Sequence, residues 1–208
     1  MKVIVMADVV GSSQRKGKAL MADLRDVVTE VNNEEAQHIL SPLTITLGDE
    51  FQGVVKSPLA AVRVLFAIEK KLITLKRPFK LRYVIHEGEI QTRLNRERAH
   101  EMLGPGLTEA RAKLLEMKAS KVRFFVSLKN KEASEKLNIL FTVLQGIADQ
   151  WTSAQQKVAA VFFERDDYRK VAEYLKKDPT TIWRRKKSLM IEEYNALKKL
   201  ILLTVPVK

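Results

Sequence analysis

Two short acid-bearing stretches have the residue types and the spacing for phosphate chemistry. Asp8 closes the β-branched run KVIVMADV and is followed by Gly11-Ser12-Ser13, while Gly48-Asp49-Glu50 lies between LTITL and FQGVV. A Gly-Ser turn that opens a helix offers adjacent amides to an anion, and Gly11 lets the main chain approach it closely. Lys16 and Lys18 come next, placed either to meet phosphate or to begin a solvated helix. If the first strand is central and the hairpin lies beside it, Asp8 and Asp49 converge at one edge of a sheet. Glu50 is then a third acid at the same place or a solvated turn residue. Two carboxylates beside an anion pocket suit Mg²⁺ (or Mn²⁺), a hard ion that takes one or two carboxylates together with phosphate oxygens. Two facing carboxylates need a cation, because like charges oppose each other's ionisation. The plain alternative is a tight turn, since Gly and Asp accept the dihedrals that hairpins require.

The elements that would position these groups follow from periodicity. Residues 2–9 read as a buried strand. In the next segment Leu20, Leu24, Val27, Val28 and Val31 recur at helical spacing, and LTITL and FQGVV form a hairpin about the Gly-Asp-Glu triplet. Ser57 and Pro58 are suited to the N-cap and first position of a second helix, whose Val62, Leu65, Ile68, Leu72 and Leu75 share a face. KLRYVIHEG is a strand, GPGLTEARAKLLEM a helix and KVRFFVSL a strand. This order predicts an α+β fold, a ferredoxin-like sheet with helices on one face.

Beyond about residue 131 the pattern is helical, which predicts a palm-like domain over 1–130, a connecting helix over 131–150 and an all-α domain over 151–208. In the last of these, Val171, Ala172 and Leu175 give a short apolar face and Lys176-Lys177 a turn. Asp178 and Pro179 then cap a helix that carries Thr180, Thr181, Trp183, Arg184, Arg185, Lys186 and Lys187. A short helix, a tight turn and a helix with polar and basic first turns describe a helix-turn-helix, with Thr180, Thr181, Trp183, Arg184, Arg185 and Lys187 facing double-stranded DNA. The competing reading is a basic helical hairpin whose charges meet only water, with Trp183 a packing residue.

Composition narrows the classes. The 208 residues carry 37 Lys and Arg against 25 Asp and Glu, a net charge of +12 that favours polyanionic partners. The chain has no cysteine, which removes disulfides and thiolate zinc sites. It holds no signal-peptide pattern and no apolar run of membrane-spanning length, so it reads as soluble and cytoplasmic with no membrane partner. Ser-His-Asp ordering, HExxH and Walker-type loops are missing; His86 reads as a core or strand-end residue, with ligand or acid-base work the alternative, and His38 and His100 as surface residues.

The motifs together resemble a known family. VIVMADVVGSS is similar to the first strand and loop of class III nucleotide cyclases, LGDEFQGVV to their Gly-Asp hairpin and RYVIHEGEI to their Arg-x-Gly-Ile-His-x-Gly strand, across residues 2–127. The resemblance implies the ferredoxin-like palm shared with GGDEF proteins. It also implies Asp8 and Asp49 as metal ligands with help from the backbone at Val9, and a phosphate loop at Gly11, Ser12 and Ser13. GPGLTEARAKL departs from the family's Gly-x-x-Val-Asn-x-Ala-x-Arg. Thr108 and Ala112 stand where Asn and the transition-state Arg belong, and Arg111 is one position out, which would point it elsewhere on the helix. A missing cation at developing charge costs about 10²-fold or more in rate, so efficient cyclisation is not expected.

A degenerate palm followed by a sigma-factor-like helix-turn-helix is more similar to the SatD family. This arrangement implies a DNA-binding transcriptional regulator, a likeness that suggests a homodimer, with a metal-nucleotide or other phosphorylated ligand bound at the palm. Arg111 and Lys16 are further candidate phosphate contacts. The alternatives are a nucleotidyl cyclase or related phosphoryl-transfer enzyme, and a non-catalytic dimerisation scaffold.

Overall fold

The computed structural model describes residues 1–12, 17–75 and 79–206. Strand β1 (Lys2–Val9) is followed by α1 (Gly17–Glu34) and a single 3₁₀ turn (Ala36–His38). Strands β2 (Ile39–Leu47) and β3 (Glu50–Val55), helix α2 (Pro58–Thr74) and strand β4 (Leu81–Gly88) come next, then α3 (Pro105–Met117) and β5 (Phe124–Ser127). The sheet order is β2-β3-β1-β4-β5. β1 is antiparallel to both β3 and β4, and β5 adds parallel to β4. The first four strands and two helices thus form the split βαβ arrangement of ferredoxin-like folds, with α3 and β5 extending it.

Strand alternation divides the sheet into two faces. Val3, Val5, Ala7 and Val9 of β1 join Phe51, Tyr83 and Ile85 in a core under α1 and α2. Ile4, Met6, Val54 and Val84 point the other way and pack under Leu107, Ala110, Leu114 and Met117 of α3. Helices therefore cover both faces rather than one. Beyond β4 the chain passes through irregular backbone to the Gly104-Pro105-Gly106 start of α3, which lies directly on the end of β4. A Cβ at Gly88 would stand 2.5 Å from the Cα of Gly106, so both positions must lack a side chain.

The second helix starts as the capping rule requires: the Ser57 hydroxyl accepts from the Ala60 amide, and Pro58 takes the first turn. The β2–β3 hairpin closes through Gly48 and Asp49, with Gly48 at φ 56°, the left-handed region open to glycine.

The rest of the chain is helical: α4 (Lys131–Ala148), α5 (Ser153–Glu164), α6 (Tyr168–Leu175), α7 (Pro179–Ser188) and α8 (Ile191–Thr204). One apolar cluster runs without a break from the sheet through Phe141 and Leu144 of α4 to Phe162, Ile182, Tyr194 and Ile201. Phe141 stacks on Phe124 of β5 at 5.1 Å, and Trp151 is ringed by Phe163 and Tyr194 while its indole donates to the Leu189 carbonyl at 3.1 Å. No helix among the described residues is long and apolar enough to cross a membrane.

Candidate functional site at the charged end of the sheet

The face under α3 is apolar along most of its length and ends in charge. In the strand register Asp8 lies opposite Glu50 on one side and Arg82 on the other, so all three side chains emerge on the α3 face. Asp49 sits beside them in the turn, where its carbonyl accepts from the Val9 amide at 3.1 Å. The main chain therefore brings the Asp8 and Asp49 segments together, while the side chain facing Asp8 across the ladder is that of Glu50.

Asp8 is buried, with 1% of its surface exposed. Arg82 Nη1 donates to Oδ1 at 3.0 Å and to Oδ2 at 3.2 Å, and Lys118 Nζ lies 3.3 Å from Oδ2. Glu50 is buried at the start of β3 and not solvated in a turn. Its Oε1 meets Arg111 Nη2 at 3.3 Å. Arg111, expected to point away, instead reaches the acid cluster, because α3 lies flat on the sheet and carries residues 111 and 118 on the side above Asp8 and Glu50. Burial holds the Glu50 carboxyl above its ordinary range. Arg111 and Lys118 pull against that rise, and Asp8 and Asp49 add to it.

The acid pair is thus neutralised from within the chain. Neither oxygen of Asp8 is left without a cation, and Glu50 is covered by Arg111. Among the described residues no group of three or more His, Cys, Asp and Glu side chains is placed to hold a metal ion. The donor set therefore does not fit a resident Mg²⁺ or Mn²⁺: three cations converge where the metal would add two further positive charges. Arg82 and Lys118 were not singled out in the sequence, although a signal existed for each. Strand alternation puts Arg82 on the face of Val84, and Lys118 follows Arg111 by two helical turns.

Of the expected phosphate loop, Gly11 and Ser12 are described. Gly11 is exposed with φ 66°, Ser12 is partly buried, and the Val9 amide is already committed to Asp49. Ser13 and Lys16 lie outside the described residues. Next to the acid cluster, Thr46, Gln52, Met102, Leu107, Thr108 and Arg111 line a groove of about 350 Å³ on the α3 face. Such a volume suits a small ligand. At the far end of the chain, the six residues expected at DNA (Thr180, Thr181, Trp183, Arg184, Arg185 and Lys187) are all exposed. Lys187 also pairs with Glu192.

The sequence pattern of the SatD family matches residues 2–201. The chain belongs to the SatD family. No curated protein matches this SatD-family sequence. Among solved structures, the guanylyl cyclase domain of the RhoGC fusion protein from Blastocladiella emersonii is 16% identical, covering 60% of this chain and 77% of that one at a TM-score of 0.43. The guanylate cyclase domain of RhGC from Catenaria anguillulae, solved with GTP, is 17% identical over 60% and 76% of the two chains, with a TM-score of 0.40. The adenylyl cyclase CyaB from P. aeruginosa is 13% identical over 60% and 75%, with a TM-score of 0.39.

Proposed function

We propose that this SatD-family chain binds a nucleotide or related phosphorylated ligand on the α3 face of its cyclase-like sheet, without a resident metal and without efficient turnover. The position of Arg111 carries the reading. It lines the groove and pairs with Glu50, so an anionic ligand entering the groove meets a cation already held beside the acid cluster. Arg111 and Lys118 keep 42% and 46% of their side chains exposed, so both can turn toward a phosphoryl group. Arg82, with 12% exposed, stays on Asp8 and balances it. The protein's own cations thereby do the electrostatic work for which a metal-dependent site recruits Mg²⁺.

Calorimetric titration of the full chain with ATP, GTP and pyrophosphate, in excess chelator and again with Mg²⁺, tests this directly. Saturable binding in chelator is expected, weakened roughly tenfold or more by Arg111→Gln, the scale of a lost hydrogen bond to a charged group. Binding that requires metal overturns the reading. Formation of cyclic nucleotide with Mg²⁺ or Mn²⁺ would favour the phosphoryl-transfer enzyme instead.

A second activity is supported by α6 and α7. Lys176 closes α6 in the left-handed conformation and Asp178 caps α7 through the Thr181 amide at 2.8 Å, so two short helices meet at a tight turn. The exposed Thr180, Thr181, Trp183, Arg184 and Arg185 lie on α7 as a reading helix would carry them. Duplex DNA binding that falls steeply with salt supports this role, and salt-independent or absent binding removes it.

A further inference from the structure

A separate groove of about 600 Å³ opens on the opposite face of the molecule, between α2, the end of α1 and helices α5 and α8. Lys198 of α8 is half-buried in its wall. The ammonium sits 4.9 Å from the ring centre of Phe66, 5.6 Å from that of Phe163 and 5.8 Å from that of Tyr194. Three aromatic faces hold the charge in place, yet among the described residues no carboxylate lies within ion-pair distance of it.

Each acid lining the groove has a basic neighbour of its own, Glu34 within the groove wall because Lys71 also lines it. Glu34 is taken by Lys71 at 2.7 Å, Glu164 by Arg165 at 3.4 Å, and Glu35 faces His38 at 3.7 Å. Lys70 and Arg63, also lining the groove, have no carboxylate partner among the described residues. Arg63 meets the His38 ring, at 3.2 Å. Burial and the neighbouring Lys70 both lower the proton affinity of Lys198, with Glu69 opposing. A cation that is desolvated, repelled by a like charge and unpaired gains when an anion arrives.

We propose that the α2–α8 groove is an anion-binding site, taking the phosphate group of a small ligand on Lys198 and Lys70, with Arg63 at its rim and the apolar wall of Phe66, Ala67 and Leu202 beside it. Lys198 supplies a fixed, pre-oriented ammonium, because the aromatic rings restrict its long side chain before the ligand binds. The site is independent of the α3-face groove, which lies on the other side of the sheet.

Inorganic phosphate is the probe. The full chain is titrated with it at constant ionic strength, following heat and melting temperature, alongside Lys198→Met, Lys70→Ala and Arg111→Gln. Saturable binding that weakens roughly tenfold in Lys198→Met and less in Lys70→Ala, but survives Arg111→Gln, is the expected result. Binding unaffected by the two lysine substitutions, lost with Arg111→Gln, or absent from the wild-type chain overturns the proposal. Amine acylation mapped by mass spectrometry gives a readout that needs no variant. Phosphate should slow modification of Lys198 several-fold while leaving exposed Lys131 unchanged, and equal rates at Lys198 with and without phosphate would refute the site.

Discussion

Replacing Asp8 by Asn separates two accounts of the acid cluster by the sign of its effect. If Asp8 and its neighbours form a metal site awaiting its ion, neutralising one of the crowded carboxylates relieves repulsion and stabilises the metal-free protein. If Asp8 is the anchor of an internal ion cluster, the same change leaves Arg82 and Lys118 without their acceptor. The geometry favours the second outcome, because both oxygens of a carboxylate only 1% exposed are engaged, at 3.0, 3.2 and 3.3 Å. Removing one partner of a buried pair costs about 3–5 kcal/mol. Lys118 is half-exposed and adds little, so the lower end applies, about 3 kcal/mol. For a chain of this size that is a fall in melting temperature of roughly 6–12 °C. Urea unfolding of wild type and Asp8→Asn in chelator measures it. A variant as stable as the wild type, or more stable, refutes the ion-cluster account.

Three further outcomes follow from the same geometry. Because burial raises the folded-state pKa of Glu50 above its ordinary 4.5, the folded protein holds that proton more tightly than the unfolded chain. Stability should then decline as pH rises from about 4.5 through the folded value, and Glu50→Gln should flatten the profile in that window, whereas an unchanged slope contradicts it. Gly88→Ala would drive a Cβ to 2.5 Å from the main chain of Gly106, so α3 must shift, at about 1–3 kcal/mol or more by denaturant unfolding. Arg123→Met leaves buried Glu69 without the guanidinium that holds it by paired 3.1 Å hydrogen bonds, and should cost about 3–5 kcal/mol, a loss that Glu69→Gln added to it would partly recover.

What could be read from the sequence was local. The alternation of Val3, Val5 and Ala7 against Ile4 and Met6, the spacing of Leu20 through Val31 and the Ser57-Pro58 cap each depend on neighbours within a few residues, and each element formed where those signals stood. The side of the sheet taken by α3 was not legible, since it depends on a crossover whose course is set by the Gly88–Gly106 contact. For the same reason the partners of the acids were missed. Arg82 meets Asp8 across 74 positions of sequence, and Lys118 reaches it only because α3 lies on that face. The buried Arg123–Glu69–Tyr83 network, which joins α2, β4 and the entry to β5, likewise has no local signature. Its members look like ordinary surface charges and a strand tyrosine until the fold brings them together.

The three cations of the acid cluster differ in what they can do. Arg111 lies on α3 and Lys118 caps its C-terminus, and both side chains are nearly half exposed. Arg82 comes from the strand next to Asp8, donates from one nitrogen, Nη1, to both of its oxygens and is 12% exposed. A metal arriving at Asp8 would have to compete with that guanidinium and with Lys118 for both carboxylate oxygens. Arg82 therefore fixes the character of the site. On the proposed reading Asp8 acts as a structural counter-ion, and ligand contacts at this end of the sheet fall to Arg111 and Lys118.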